Sequence, residues 1–173
     1  MIYEVCSDDS GITVLEEYIE GKRLIDILST KPLDRKKVFK YTCDICDALI
    51  FLHSFGIIHR DIKPSNVIIK PDDTAVLIDL SIARFLSEKE NDTQSLGTPG
   101  FAAPEQFGIF QSNNTTDIYS LGVLLNIMLT GSHPSVDLPK GRYKKVVEQA
   151  TSTQISKRFK TAEKMKTALK LYR

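Results

Sequence analysis

Eight consecutive residues, His59-Arg60-Asp61-Ile62-Lys63-Pro64-Ser65-Asn66, constrain this chain more than any other stretch. They place an aspartate, a lysine and an asparagine at fixed offsets inside one turn-rich loop. Two short apolar runs follow, Val67-Ile68-Ile69 and Ala75-Val76-Leu77-Ile78, and a second aspartate, Asp79, comes directly after them. The polar loop, the two apolar runs and the second carboxylate thus lie within about twenty residues of one another. Phosphoryl transfer to a hydroxyl is the chemistry that uses such a set. One carboxylate orients the hydroxyl proton and an ammonium neutralises the moving phosphoryl group. An amide oxygen and a second carboxylate suit magnesium, which prefers hard oxygen ligands.

The chain has 173 residues, enough for one domain with a sizeable core. Apolar residues make up 42% and charged residues 26%, the balance of an ordinary soluble globular protein. The net charge of +1 comes without a basic block, so no nucleic-acid partner is expected. The longest apolar run, 121–129, is broken by Gly122 and Asn126 and is well short of the roughly 18 residues of a membrane span. No basic flank and apolar core of a signal peptide is visible at the start. Cys43-Asp44-Ile45-Cys46 has the spacing of a metal or redox pair. It lies within a helical pattern, lacks a second pair and has no histidine cluster, so the core of a helix is the expected place for it. A reducing, cytoplasmic setting fits.

Residues 2–6 and 12–19 read as strands around a turn at Ser7-Asp8-Asp9-Ser10-Gly11. Residues 22–29 form a short helix. Val38, Thr42, Ile45, Leu49 and Leu52 recur at helical spacing, which predicts a long helix over 34–54 that ends at Gly56. The two runs after the loop are strands. Residues 79–105 form a long polar segment of the kind usually kept for function. Residues 117–129 are apolar on nearly every side and predict a buried central helix. Thr161 caps a final helix with Met165, Ala168, Leu169 and Tyr172 on one face.

The loop and Asp79 resemble the H-R-D-x-x-x-x-N and D-F-G signatures of the protein kinases. Gly97-Thr98-Pro99-Gly100-Phe101-Ala102-Ala103-Pro104-Glu105-Gln106 resembles their substrate-positioning segment ending in A-P-E. Asp117-Ile118-Tyr119-Ser120-Leu121-Gly122 resembles the start of their central helix, Ser156-Lys157-Arg158-Phe159 the late arginine motif, and Glu17-Tyr18-Ile19-Glu20-Gly21 the hinge. By this resemblance the chain is identified as a member of the bacterial-type serine/threonine protein kinases. The implied fold is α+β and mainly helical: the C-terminal lobe of a kinase with a short N-terminal β-hairpin left from the small lobe. Residues 1–18 would be the last small-lobe strands, 17–21 the hinge and 22–173 the large lobe. No Gly-rich phosphate loop and no V-A-I-K-type lysine strand precede the hinge. The expectation is thus a truncated catalytic domain, close to inactive alone and missing its own small lobe as a partner.

The resemblance implies ATP and Mg2+ as cofactors and a protein serine or threonine hydroxyl as substrate. Asp61 would be the catalytic base, and Lys63 would sit near the γ-phosphate. Asn66 and Asp79 would hold the metal. Glu17 and Ile19 would meet adenine through backbone groups, Glu20 would reach the ribose, and Ile68 would form the floor under adenine. Arg60 would bind phosphate on the activation segment, at Thr93 or Ser95, and Thr98 would bond Asp61 or Lys63. His59 would stack in the core beside Leu80, tied to Asp117, and Glu105 would pair with Arg158. Leu80 and Ser81 depart from D-F-G, and a serine for the glycine restricts the backbone. Only eight residues separate Pro134 from Tyr143, where the family usually places a helix and long loops. Two alternatives remain: a non-catalytic pseudokinase that docks partners, and a small-molecule phosphotransferase.

Overall fold

The computed structural model describes residues 2–8, 11–30, 33–86, 97–108 and 111–171. Among these are five α-helices and seven short strands. The long helix α2 (Arg35–Ser54) starts where the Asp34 side chain accepts from the backbone N–H groups of Lys36 and Lys37. This satisfies two of the donors that a helix start leaves open. Its stripe of Val38, Thr42, Ile45 and Leu49 is buried and Leu52 is half-buried. Gly56, with φ of 69°, turns the chain away from it.

Helix α3 (Asn114–Thr130) is capped by Asn113 and closed by Gly131 in the left-handed region. It is apolar all round because neighbours cover it on several sides: α2, α4 (Arg142–Ala150) and α5 (Ala162–Leu171) all touch it. At Gly122 a Cβ would lie 2.6 Å from the Cβ of Ala150, so α3 and α4 cross with no room for a side chain there. The core lies between these four helices, from Ile45 through Leu121, Leu124 and Met128 to Val147, Met165 and Leu169, and Leu24 joins it from outside them. Cys43 and Cys46 are buried free thiols on α2, in keeping with the helix-core reading. No helix among the described residues is long and apolar enough to cross a membrane.

Among the described residues, three small antiparallel sheets decorate this core. Strands β1 (Ile2–Asp8) and β2 (Gly11–Glu16) form a hairpin whose Tyr3, Val5, Val14 and Leu15 are exposed. Strand β5 (Val67–Ile69) lies between β3 (Lys22–Arg23) and β6 (Ala75–Leu77), and β4 (Ile57–Ile58) pairs with β7 (Arg84–Phe85). The helix expected over 22–29 is thus a strand pair followed by a shorter helix, α1 (Leu24–Leu28). Lys22 and Arg23 are drawn into pairing with Ile69 and Ile68, a long-range contact that local propensity does not record. Gly21 makes this approach possible, since a Cβ there would meet the Ile69 carbonyl oxygen. Strand β2 stops at Glu16 rather than 19.

Helix α4 was not foreseen. Its buried residues, Tyr143, Val146, Val147 and Ala150, have helical spacing. The helix is only nine residues long, and no side chain caps its start at Gly141. Residues 135–141 hold turns and no helix, and α4 starts at Arg142. Thr161 meets the backbone N–H of Lys164 at the start of α5, while Tyr172 lies outside the described residues.

Candidate active site

The loop of residues 59–66 is held from below by one buried carboxylate. Asp117, in the first turn of α3, is fully buried. Its Oδ2 accepts the His59 N–H at 2.9 Å and meets His53 Nε2 at 2.8 Å, and its Oδ1 accepts the Arg60 N–H at 2.8 Å. An anionic acceptor with three close donors is strongly stabilised in a dry setting. The anchor lets Arg60 adopt a φ of 66°, a left-handed backbone that a non-glycine residue avoids unless it is held there.

Asp61 is the hub of the loop. It is buried apart from 8% of its surface. Its Oδ1 accepts from the Thr98 hydroxyl at 2.7 Å, and its Oδ2 lies 2.7 Å from Lys63 Nζ and 2.9 Å from Asn66 Nδ2. Lys63 Nζ also donates to the Thr98 hydroxyl at 2.8 Å. Thr98 therefore meets both residues suggested for it. Asn66 sits in a 3-10 turn, Pro64–Asn66, and its amide nitrogen donates a second time, to the Asp61 carbonyl at 3.0 Å. With Nδ2 committed to Asp61, the amide oxygen, which lies 3.5 Å from the Ser65 hydroxyl, is the atom that could meet a cation.

Asp79 follows β6 with a φ of 70°. Its Oδ1 accepts the Ser81 N–H at 3.1 Å. The Ser81 hydroxyl and this backbone donor hold the Asp79 carboxyl below the usual carboxylate range. An amide oxygen and an ionised carboxylate form a donor set that suits magnesium, which typically takes one or two protein oxygens and completes its shell with water and phosphates. Among the described residues no cluster of three His, Cys, Asp or Glu forms an all-protein metal cage.

The 97–107 segment packs beside this hub. Arg158 is nearly fully buried and forms a two-pronged pair with Glu105, at 2.6 and 2.9 Å. Arg158 also bonds the carbonyls of Thr115 and Ser152, and Thr116 donates to Glu105. Burial pushes the Glu105 carboxyl up, but the hydrogen bonds and charge of Arg158, together with a backbone bond and the Thr116 hydroxyl, leave the group below its ordinary value.

Leu80 corrects the sequence reading. It is 46% exposed, not packed in the core, and the His59 ring instead reaches the Ile78 carbonyl at 3.1 Å. The left-handed turn at Asp79 carries the next side chain outward. Ser81 is not among the residues with positive φ, so the glycine it stands for is not needed in this backbone. Arg60 Nε donates to the Ile82 carbonyl at 2.7 Å. Glu17 and Glu20 are exposed, and Ile19 and Ile68 are half-buried. Thr93 and Ser95 lie outside the described residues.

The sequence reading gave no role to three residues. Gln106 bonds the Arg60 carbonyl at 2.9 Å. Tyr41 and Asp73 meet at 2.6 Å and, with Lys37 and Lys40, fasten the β5–β6 turn to α2. Tyr41 lies one position before Thr42 of the apolar stripe, and nothing local to Asp73 signals a partner 32 residues away.

A family model described as "Protein kinase domain" matches residues 1–171. The chain belongs to the protein kinase family. Among its relatives is the serine/threonine-protein kinase PknB of Mycobacterium tuberculosis, 37% identical over 126 residues, which cover 70% of this chain and 20% of that protein. PknB of Mycobacterium leprae is 35% identical over 127 residues, covering 71% and 20%. A probable serine/threonine-protein kinase of Clostridium acetobutylicum is 35% identical over 136 residues, covering 77% and 21%. The matched region thus spans about a fifth of the length of these relatives. All are of the bacterial serine/threonine kinase type, as the motifs implied.

Proposed function

We propose that this chain carries the catalytic centre of an ATP-dependent protein serine/threonine kinase. The observation that supports it most is the closed set of Asp61, Lys63, Asn66 and Thr98, in which every member bonds Asp61 within 3.0 Å. Asp61 is the group that receives and orients the substrate hydroxyl. Lys63 balances its charge and that of an incoming phosphate. Asn66 and Asp79 would hold Mg2+, and Mg-ATP when bound supplies the phosphoryl group and the charge that draws it into place. Positioning and electrostatics account for most catalysis in this chemistry, so four pre-bonded side chains are the feature it needs.

The hinge at 17–21 is proposed to meet adenine through Glu17 and Ile19 and the ribose through Glu20, above Ile68. Residues 1–18 are proposed as small-lobe strands and 22–173 as the large lobe. A small lobe seated on the exposed β1–β2 hairpin, bringing a phosphate-clamping loop and lysine, belongs to the same reading. Thr93 and Ser95 are proposed as phosphosites, with Arg60 as the cation that would receive their phosphate. Thr98 and the buried Glu105–Arg158 pair support a protein substrate over a small molecule, because they brace a segment a small substrate would not use. Ser81 favours a pseudokinase less than its identity suggested, since its backbone is unstrained.

The test is Asp61→Asn in the full-length protein. Loss of about 10²–10⁴-fold in kcat is expected, with ATP affinity and melting behaviour kept. Asp79→Asn is expected to weaken magnesium-dependent nucleotide binding as well. A wild-type kcat in Asp61→Asn would overturn the assignment. A folded, ATP-binding wild type without transferase activity would favour the pseudokinase.

A further inference from the structure

The peptide unit joining Arg60 to Asp61 is gripped from both sides. Its carbonyl oxygen accepts from Gln106 Nε2 at 2.9 Å, and its N–H donates to His59 Nδ1 at 3.3 Å. The other ring nitrogen of His59 meets the Ile78 carbonyl at 3.1 Å, which fixes the tautomer with the proton on Nε2. The preceding two backbone N–H groups are held by Asp117. Three successive peptide planes are thus fixed, and the last of them sets the direction in which the Asp61 side chain leaves the backbone.

Gln106 reaches this plane from the opposite wall of the site. It lies in the 3-10 turn Pro104–Phe107 and is 3% exposed. Its Oε1 accepts the Ala103 N–H at 2.9 Å. One side-chain amide therefore ties the backbone of the 97–107 segment to the backbone of the catalytic loop. Gly97 leaves room for it: a Cβ there would lie 2.7 Å from Gln106 Nε2 and 2.7 Å from the Cβ of Ala102. The Thr98 bond to Asp61 joins the same two segments through side chains. The Gln106 bridge joins them through main chain.

We propose that Gln106 is a positioning residue, which fixes the Arg60–Asp61 peptide plane and so couples the placement of the substrate segment to the aim of Asp61. The inference rests on the kinase reading of the site. Gln106 Oε1 accepts from one segment while Nε2 donates to the other, so the planar amide carries orientation as well as attachment. Arg60 in its left-handed backbone has no strong local preference that would keep this plane in place unaided.

The test uses Gln106→Glu and Gln106→Met in the full-length protein. Glutamate keeps the acceptor for Ala103 but opposes an oxygen to the Arg60 carbonyl. Methionine keeps the bulk and loses both bonds. In Gln106→Glu the Asp61 amide is expected to exchange with solvent about tenfold faster, with the Ala103 amide and the Asp117-bound Arg60 amide unchanged. In Gln106→Met the Asp61 and Ala103 amides should both quicken. Both variants should lose on the order of 10- to 100-fold in kcat, with KM for ATP within about twofold of wild type. An unchanged Asp61 amide in both variants would overturn the proposal. So would equal acceleration of the Arg60 amide and the α3 amides, which would mark general loosening, or a kcat unaffected while the plane is freed. If the wild type transfers no phosphate, the functional reading fails, and the exchange pattern still decides whether Gln106 holds the plane.

Discussion

Replacing Asp117 should destabilise the protein more than any single change at the catalytic residues themselves. The carboxylate is fully buried and accepts the N–H groups of His59 and Arg60 on separate oxygens, with His53 Nε2 sharing one of them. In Asp117→Ala two backbone donors lose their acceptor in a dry interior, and each orphaned donor costs about 1–3 kcal/mol. With the His53 contact added, the loss should be about 3–6 kcal/mol. Asp117→Asn keeps one oxygen but sets an N–H2 group against a donor, and should lose about 2–4 kcal/mol. Typical domains are stable by only about 5–15 kcal/mol, so either change removes a large share. For a chain of this size, the asparagine variant should melt about 5–15 °C lower. The assay is urea unfolding at neutral pH, followed by circular dichroism, with the slope compared between variants to confirm that the unfolding transition is the same. A stability within about 0.5 kcal/mol of wild type for Asp117→Asn would refute the reasoning, because that is the range of a surface substitution.

The Glu105–Arg158 pair should make stability fall in acid. The Glu105 carboxyl lies below its ordinary value of 4.5, so its contribution is complete above that pH and is lost as pH falls through the lower folded value. Glu105→Gln should cost about 3–5 kcal/mol at pH 7 and flatten the acid limb of a stability–pH curve, which urea titrations from pH 7 to pH 3 would reveal. Tyr41→Phe should cost about 1 kcal/mol by removing the bond to Asp73, read as a lower urea midpoint with unchanged slope. Gly122→Ala should cost about 1–3 kcal/mol by thermal unfolding, since the added methyl meets Ala150 where α3 and α4 cross.

What the sequence determined by itself was the set of chemical parts and their order. Asp61, Lys63, Asn66 and Asp79 were legible because their offsets are local, and a loop of eight residues followed by two short strands leaves little freedom in how they meet. The long helix and the central helix were legible because apolar spacing is a direct record of which faces are covered. Tertiary structure decided what depended on partners distant in the chain. Lys22 and Arg23 became a strand because β5 offered them an edge. Helix α4 formed because four apolar residues found α3 and α5 to cover them, despite a short and strongly basic sequence. Leu80 turned outward because Asp79 took a left-handed backbone, a choice set by the surrounding bonds and not by leucine's own preference. Gln106 is the sharpest case. A glutamine after an A-P-E motif carries no signal of its own, and its two hydrogen bonds exist only because folding brings a segment 46 residues away against the carbonyl of Arg60.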